Sequence, residues 1–289
     1  MEKAIRFLGV DIGNSGLRIA ELNIAESKVE RTLRVTWSHG NVDTRSHFAE
    51  ARYAPDSPDW LAVVEKFATD TTPSSDRVRC VWLISSVRRD ALSLLEEHLR
   101  QRIKTLPSND AWRVITRHDI ALELQVLEPE RVGVDRLLAA FAAASLYPQR
   151  PLIVMQVGSA MTVDLVREPN VFGGGAILPG VPMMLRLLGQ AADLLPTIDA
   201  EELTDLPTLP GRNTEQAMRC GTASALVGGA QHLINRYRQT HGPATLIVLS
   251  GGDGTRLAQH LSPPIEVVPH LVLHGLVLIA KDSMGKSII

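Results

Sequence analysis

The sequence of 289 residues predicts two like α/β domains, each a mixed sheet flanked by helices. Three observations lead there. A glycine-turn hairpin pattern occurs twice, and each copy is followed by strand-like runs alternating with helical ones. The chain is also long enough to divide into two domains, and its 45% hydrophobic against 21% charged residues is an ordinary globular balance.

The first hairpin runs apolar from Ile5 to Val10, turns through Asp11-Ile12-Gly13-Asn14-Ser15-Gly16, and continues as Leu17-Arg18-Ile19-Ala20. The second runs Leu152 to Met155, turns through Gln156-Val157-Gly158-Ser159-Ala160-Met161, and continues as Thr162-Val163-Asp164-Leu165-Val166. Between them, Arg31–Trp37 reads as a third strand and residues 39–57 as a polar connection. Trp60–Thr69 is a helix, Cys80–Ser85 a buried strand, Asp90–Ile103 an amphipathic helix and Trp112–Ile115 a short strand. The domain boundary is expected within 117–123, giving domains 1–120 and 121–289. In the second, Gly133-Val134-Asp135-Arg136 opens an apolar helix, Leu137–Tyr147. After the hairpin come a strand at Val171–Leu178, helices at Met183–Leu195 and Thr214–Arg238, strands at Thr245–Leu249 and Ile265–Val268, and a last helix, His270–Lys281.

Thirty Lys and Arg against 32 Asp and Glu leave a formal charge of -2, which gives no electrostatic footprint for nucleic acid or an anionic membrane. The longest apolar stretches fall short of the roughly 20 residues of a membrane span. The start, Met1-Glu2-Lys3, leads into a strand-like run without the apolar region of a signal peptide. Cys80 and Cys220 lack metal-ligand spacing and suit a reducing compartment, so a cytoplasmic location is expected.

Glycine lets main chain approach a ligand closely, and its amides can point at phosphate oxygens. A lone Gly-Asn-Ser turn is equally a plain hairpin turn. Its recurrence in both halves points instead to a cleft that clasps a phosphate chain, as in a kinase. Asp11 is placed to organise hydrated Mg²⁺, while Asn14 and Ser15 offer donors to phosphate. Asp135, in the first turn of a helix, reads either as a cap or as a general base with Arg136 beside it. Gly173-Gly174-Gly175 and Gly251-Gly252-Asp253-Gly254 suit tight turns or a ligand lying on main chain. The Gly-Lys-Ser at 285–287 imitates a P-loop, but no helix can follow it. His270 and His274 share a helix face without a third ligand in view.

Taken in order, Asp11-x-Gly13-Asn14-Ser15, Gly133-x-Asp135-Arg136, Gly158-Ser159-Ala160-x-Thr162-x-Asp164, Gly174-Gly175-x-Ile177-x-Pro179-Gly180, Gly211-x-Asn213-Thr214, Ser250-Gly251-Gly252-Asp253 and Leu271-Val272-Leu273-x-Gly275-Leu276 resemble the type III pantothenate kinases over nearly the whole chain. The resemblance implies two tandem ribonuclease-H-like (actin-like ATPase) domains with a cleft between them. It also implies ATP-dependent phosphorylation of pantothenate to 4′-phosphopantothenate, towards coenzyme A. Mg²⁺, a monovalent cation (K⁺ or NH₄⁺) and a homodimer come with it. Carried over to this chain, Asp11, Ile12, Gly13, Asn14, Ser15, Gly16, Leu17 and Arg18 form the first phosphate loop. Gly158 and Ser159 contact ATP. Gly133, Val134, Asp135, Arg136 and Thr214 hold pantothenate, with Asp135 as proton acceptor.

Three positions depart from the family pattern. Gln156 stands where an aspartate usually helps to hold the cation, Val126 where a tyrosine usually lines the substrate pocket, and Ser159 where threonine is usual. They leave two alternatives to an active pantothenate kinase: a non-catalytic regulatory relative, or a kinase for another small hydroxylated metabolite.

Overall fold

The computed structural model describes residues 4–38, 52–70, 78–105, 110–198 and 209–284. The chain forms two compact units. The first comprises residues 1–120, 133–138 and 272–289; the second comprises 121–132 and 139–271.

In the first unit, β1 (Ala4–Ile12), β2 (Gly16–Asn23) and β3 (Lys28–Trp37) make an antiparallel meander. On the other side of β1 lie β5 (Val78–Ser86) and then β6 (Ala111–Val114), both parallel. The two-residue edge strand β4 (Arg52–Tyr53) completes the order β4-β3-β2-β1-β5-β6. Helices α1 (Leu61–Thr69) and α2 (Arg89–Thr105) are the alternating helices of this unit. Their apolar residues Val64, Phe67, Leu95 and Leu99 join Leu8, Val10, Ile12, Leu17 and Ile19 in one buried cluster. Trp37 and Trp60 meet edge to face inside it, ring centres 5.5 Å apart.

The second unit repeats this plan. β8 (Leu152–Val157), β9 (Ala160–Arg167) and β10 (Val171–Pro179) form the meander, and β11 (Leu246–Ser250) and β12 (Ile265–Val267) extend it in parallel beyond β8. The two-residue strand β7 (Glu123–Leu124) pairs in parallel with β10, as β4 does with β3. The remaining helices are α3 (Val134–Leu146), α4 (Val181–Ala191), α5 (Thr214–His241), α6 (Gly254–Ala258) and α7 (Leu271–Met284). These are two tandem ribonuclease-H-like domains, the fold class read from the sequence.

The boundaries differ from the sequence reading where tertiary contacts intervene. The α4 helix stops at Ala191 rather than Leu195 because the chain doubles back over Gly189, where an added Cβ would lie 2.9 Å from the Pro196 carbonyl oxygen. Strands β4 and β7, being two residues long, carry no periodicity to detect. Much of the polar connection at 39–57 and the Gly-Lys-Ser at 285–287 lie outside the described residues. No helix among the described residues is long and apolar enough to cross a membrane. Neither cysteine forms a disulfide and both are buried, and burial pushes the Cys80 thiol up to about 11.

A polar cluster ties α1, α2 and the start of β6 together. Arg102 Nε donates to Asp110 Oδ2 at 2.7 Å, and the other Asp110 oxygen accepts the Cys80 amide at 2.9 Å. Arg102 also reaches Glu65, whose second oxygen lies 3.0 Å from His98 Nε2. The His98 hydrogen bond, helped by Arg102 and opposed by burial, holds Glu65 below the usual carboxylate range. A carboxylate depressed in the folded state contributes stability above its unfolded value of about 4.3, and that contribution drains away as pH falls through the folded value. The urea midpoint is therefore expected to be level near neutrality and to fall below about pH 4.3. Glu65→Gln should flatten that fall; an unchanged slope in the variant would refute the assignment.

Candidate active site

The site in the first unit begins with strand register. Asp11 on β1 lies opposite Arg18 on β2 and level with Ser85 on β5, and Arg18 in turn faces Arg34 on β3. Directly opposed residues share a sheet face, so Ser85, Asp11, Arg18 and Arg34 form a polar row across it. Their neighbours Ile12 and Leu17 point the other way, 0% and 1% exposed. These two predicted phosphate-loop residues therefore have only main chain to offer a ligand.

The turn between β1 and β2 is held from beneath. Gly13 N–H donates to the Gly16 carbonyl at 2.9 Å. The Trp37 indole N–H donates to the Gly13 carbonyl, and the Trp37 amide donates to the Ser15 carbonyl, each at 3.0 Å. Tying down two carbonyls removes their negative ends from the open side of the turn, which suits an anion approaching its amides. Gly13 is uncrowded, with the nearest atom at ordinary contact distance, 3.5 Å from an added Cβ. At Gly16 an added Cβ would fall 2.3 Å from the Val35 carbonyl oxygen, so that glycine serves the β2–β3 pairing.

Asp135 is the second residue of α3. Its Oδ1 accepts the Arg136 amide at 2.8 Å, and a Cβ on Gly133 would lie 2.4 Å from that oxygen. Glycine at 133 is what lets the carboxylate fold back over the helix start. Burial raises the Asp135 carboxyl above the usual range, while the Arg136 amide and charge oppose the rise. Asp11 is pushed up to about 7, first by burial and then by the negative charge of Asp135, against the pull of Arg18 and a 3.2 Å hydrogen bond from Ser85 Oγ. Burial, with Arg34 facing it, lowers the Arg18 guanidinium. The negative charge of the helix-tip carboxylate thus reaches the phosphate-turn carboxylate within one unit. A buried carboxylate whose pKa is raised suits an arriving cation or a hydroxyl proton.

Among the described residues no group of three His, Cys, Asp or Glu assembles to hold a metal unaided. A hydrated Mg²⁺ carried on nucleotide phosphates needs only one or two carboxylates, and Asp11 fits that part.

The second unit builds a turn of the same kind, one residue shorter. Gly158 N–H donates to the Ala160 carbonyl at 3.1 Å, and the Gly180 amide, just past β10, donates to the Ser159 carbonyl at 2.8 Å. Gly180 thus repeats the bond that Trp37 makes to Ser15. Gln156 lies opposite Thr162 and level with Ser250, as Asp11 lies opposite Arg18 and level with Ser85. Next to Gln156 the buried Thr162 hydroxyl has no hydrogen-bond partner. Gly251, at φ +100°, lies against Val157 just before the turn. Val126 stands 3.4 Å from where a Cβ on Gly174 would be. Thr214 is the exposed first residue of α5; Asn213 caps the helix by accepting the Gln216 amide at 2.8 Å.

Trp37, Ser85 and Arg34 escaped the sequence reading. Ser85, a polar residue closing an apolar strand, is the one with a detectable signal.

Two ribonuclease-H-like units, each carrying a glycine turn on its first hairpin, define the class of fold. Residues 7–236 match the family model described as type III pantothenate kinase. The chain is 31% identical to the type III pantothenate kinase of Rhodopirellula baltica over 285 residues, 93% of this chain and 96% of that one. It is 28% identical to that of Albidiferax ferrireducens, covering 95% and 97%. The chain belongs to the type III pantothenate kinase family. Among solved structures, a reductive activator for a corrinoid, iron–sulfur protein shares the fold alone, with a TM-score of 0.52 at 10% identity over 99% of this chain and 62% of that one.

Proposed function

We propose that this protein transfers the terminal phosphoryl group of ATP to the primary hydroxyl of pantothenate, giving 4′-phosphopantothenate and ADP, the first step towards coenzyme A. The observation that carries the reading is the match to the type III pantothenate kinase family over residues 7–236, supported by Asp11 at the end of β1 beside the turn and Asp135 at the start of α3. The hydroxyl is a weak nucleophile. Asp135 takes its proton as the new O–P bond forms and the bond to the β-phosphate oxygen breaks. Burial raises the basicity of Asp135, and Arg136 sits beside it to balance charge on substrate or phosphoryl group. Gly133 and Val134 line the same helix start, with Thr214 a further substrate contact. The Gly13–Gly16 turn and the Gly158-Ser159 turn hold phosphates by their amides. When bound, Mg²⁺ neutralises charge on the phosphates, and Asp11 would hold its hydration shell.

The direct test is a coupled assay with ATP, Mg²⁺ and pantothenate, with the product's mass checked. Turnover with release of ADP is expected, and its absence at saturating substrates would overturn the reading. Gln156 and Val126 support a second one, a regulatory relative that binds ligand without turnover. A kinase for another hydroxylated metabolite is separated by competition, since a hexose should not displace pantothenate.

At Gln156 the chain offers a neutral carbonyl oxygen, with the unpartnered Thr162 hydroxyl opposite, where the family pattern has a charged ligand. These oxygens fit a monovalent cation but bring no charge to it. Wild-type turnover is therefore expected to respond little to K⁺ or NH₄⁺, and Gln156→Asp to gain a clear dependence. A strong requirement in the wild type would contradict this. A homodimer in the cytoplasm completes the proposal. The exposure of Ile177, Leu187 and Leu194 (64%, 52% and 95%) supports self-association, and sedimentation should give the mass of two chains.

A further inference from the structure

The loop joining β5 to α2 has a role that neither the motifs nor the family pattern assigns. It runs along the site from two sides. The Val87 amide donates to the Ile12 carbonyl at 3.0 Å, at the last residue of β1, and Val87 Cγ1 lies 3.6 Å from where a Cβ on Gly133 would be. At the end of β5, just before the loop, the Ser85 hydroxyl bonds Asp11. Ser86, the last residue of β5, fixes the loop residue two positions on: its Oγ accepts the Arg88 amide at 3.1 Å and donates to the Arg88 carbonyl at 2.9 Å. The main chain of Arg88 is thus set at the rim of the phosphate turn.

Its side chain reaches back over that turn. Arg88 Nη1 is 3.5 Å from the Asn14 carbonyl oxygen, while Nε and Nη2 grip Asp90 at 2.8 and 2.9 Å. The contact to Asn14 is at the limit of a hydrogen bond, so Nη1 is weakly committed. The Asp90 pair is solvent-washed, with side chains 28% and 38% exposed, and such pairs contribute little. A phosphate oxygen pair offers the same fork a doubly bonded partner of higher charge. The other arginine near the turn, Arg18, already faces Asp11 in register.

We propose that Arg88 is a phosphate-contacting residue: it exchanges Asp90 for the terminal phosphate of a nucleoside triphosphate held on the Gly13–Gly16 turn, with Asp90 as its resting partner. The proposal rests on the kinase reading for the identity of the ligand but not for its test.

The test compares wild type with Arg88→Gln, Arg88→Lys and Asp90→Asn in the full chain. Calorimetry reads binding of a non-hydrolysable ATP analogue, inorganic tripolyphosphate and AMP, and a thermal melt accompanies each. Arg88→Gln is expected to weaken the analogue and tripolyphosphate roughly 10- to 100-fold, as befits loss of hydrogen bonds to a charged group, with AMP affinity and melting unchanged. Arg88→Lys should recover part of the loss, and Asp90→Asn, by freeing the guanidinium, should tighten both. Unchanged triphosphate affinity in Arg88→Gln, or an equal loss for AMP, would overturn the proposal. Because binding is read without pantothenate, Arg88-dependent affinity in a protein that never turns over would sink the activity reading alone. Full wild-type turnover with Arg88-independent binding would sink this one alone.

Discussion

Asp135→Asn should lower kcat by about 10²- to 10⁴-fold while leaving KM for ATP and pantothenate close to wild type. Asparagine keeps the shape and the oxygen that accepts the Arg136 amide at 2.8 Å, so the start of α3 loses no bond. It also fits under Gly133 as the carboxylate does. Burial disfavours the charge that the substitution removes, so melting should hold or rise slightly. What is lost is the ability to take a proton. A merely capping Asp135 predicts kcat intact, with at most the small loss of stability that comes from removing a charge at the helix N-terminus. Steady-state kinetics and a thermal melt on one preparation distinguish the two, and an undiminished kcat would remove Asp135 from the chemistry. Asp11→Asn serves as the contrast. It strips charge from the phosphate turn, so its effect should fall on ATP and Mg²⁺ dependence.

Local features explain what could be read before any coordinates. Each glycine turn sits between apolar runs, and a turn residue among β-formers is a short-range signal. The hairpins and the helices with three or more apolar turns were therefore visible. Duplication added a second source of inference, since a pattern in one half supported its copy in the other. What stayed hidden is tertiary. No spacing rule links Asp11 to Asp135, because the charge of one reaches the other only once the unit has folded. Trp37 looks like the last residue of a strand, and only its two bonds to the turn reveal its part. Arg88 reads as an ordinary charge before a helix until Ser86 and Asn14 are seen around it. The glycines are the sharpest case. In sequence, Gly13, Gly16, Gly158 and Gly180 are alike, but two have space beside them and two are wedged against main chain.

That division predicts opposite outcomes for two substitutions in the second unit. Gly180 has φ −76° and ψ 171°, a conformation open to any residue, so only space restricts it. An added Cβ would fall 1.9 Å from the Gly158 carbonyl oxygen and 2.9 Å from that of Ser159. Both are main-chain atoms of the phosphate turn, and neither can swing aside. Gly180→Ala must push the turn away and stretch the 2.8 Å bond from its own amide to Ser159. Overpacking of this kind costs about 1–3 kcal/mol, occasionally more. At about 2–4 °C per kcal/mol for domains of this size, the melting point should drop by roughly 2–12 °C. The displaced turn should raise KM for ATP as well. At Gly158 the nearest atom to an added Cβ is 4.0 Å away, so Gly158→Ala should fold and melt as the wild type does. Its methyl group would stand where phosphate meets the turn amides, so it too should raise KM for ATP, without the loss of stability. Differential scanning fluorimetry and ATP titrations on the pair separate packing from ligand approach. If Gly180→Ala melted with the wild type, the close contact between the end of β10 and the second turn would be wrong, and with it the matching of that turn to the one gripped by Trp37.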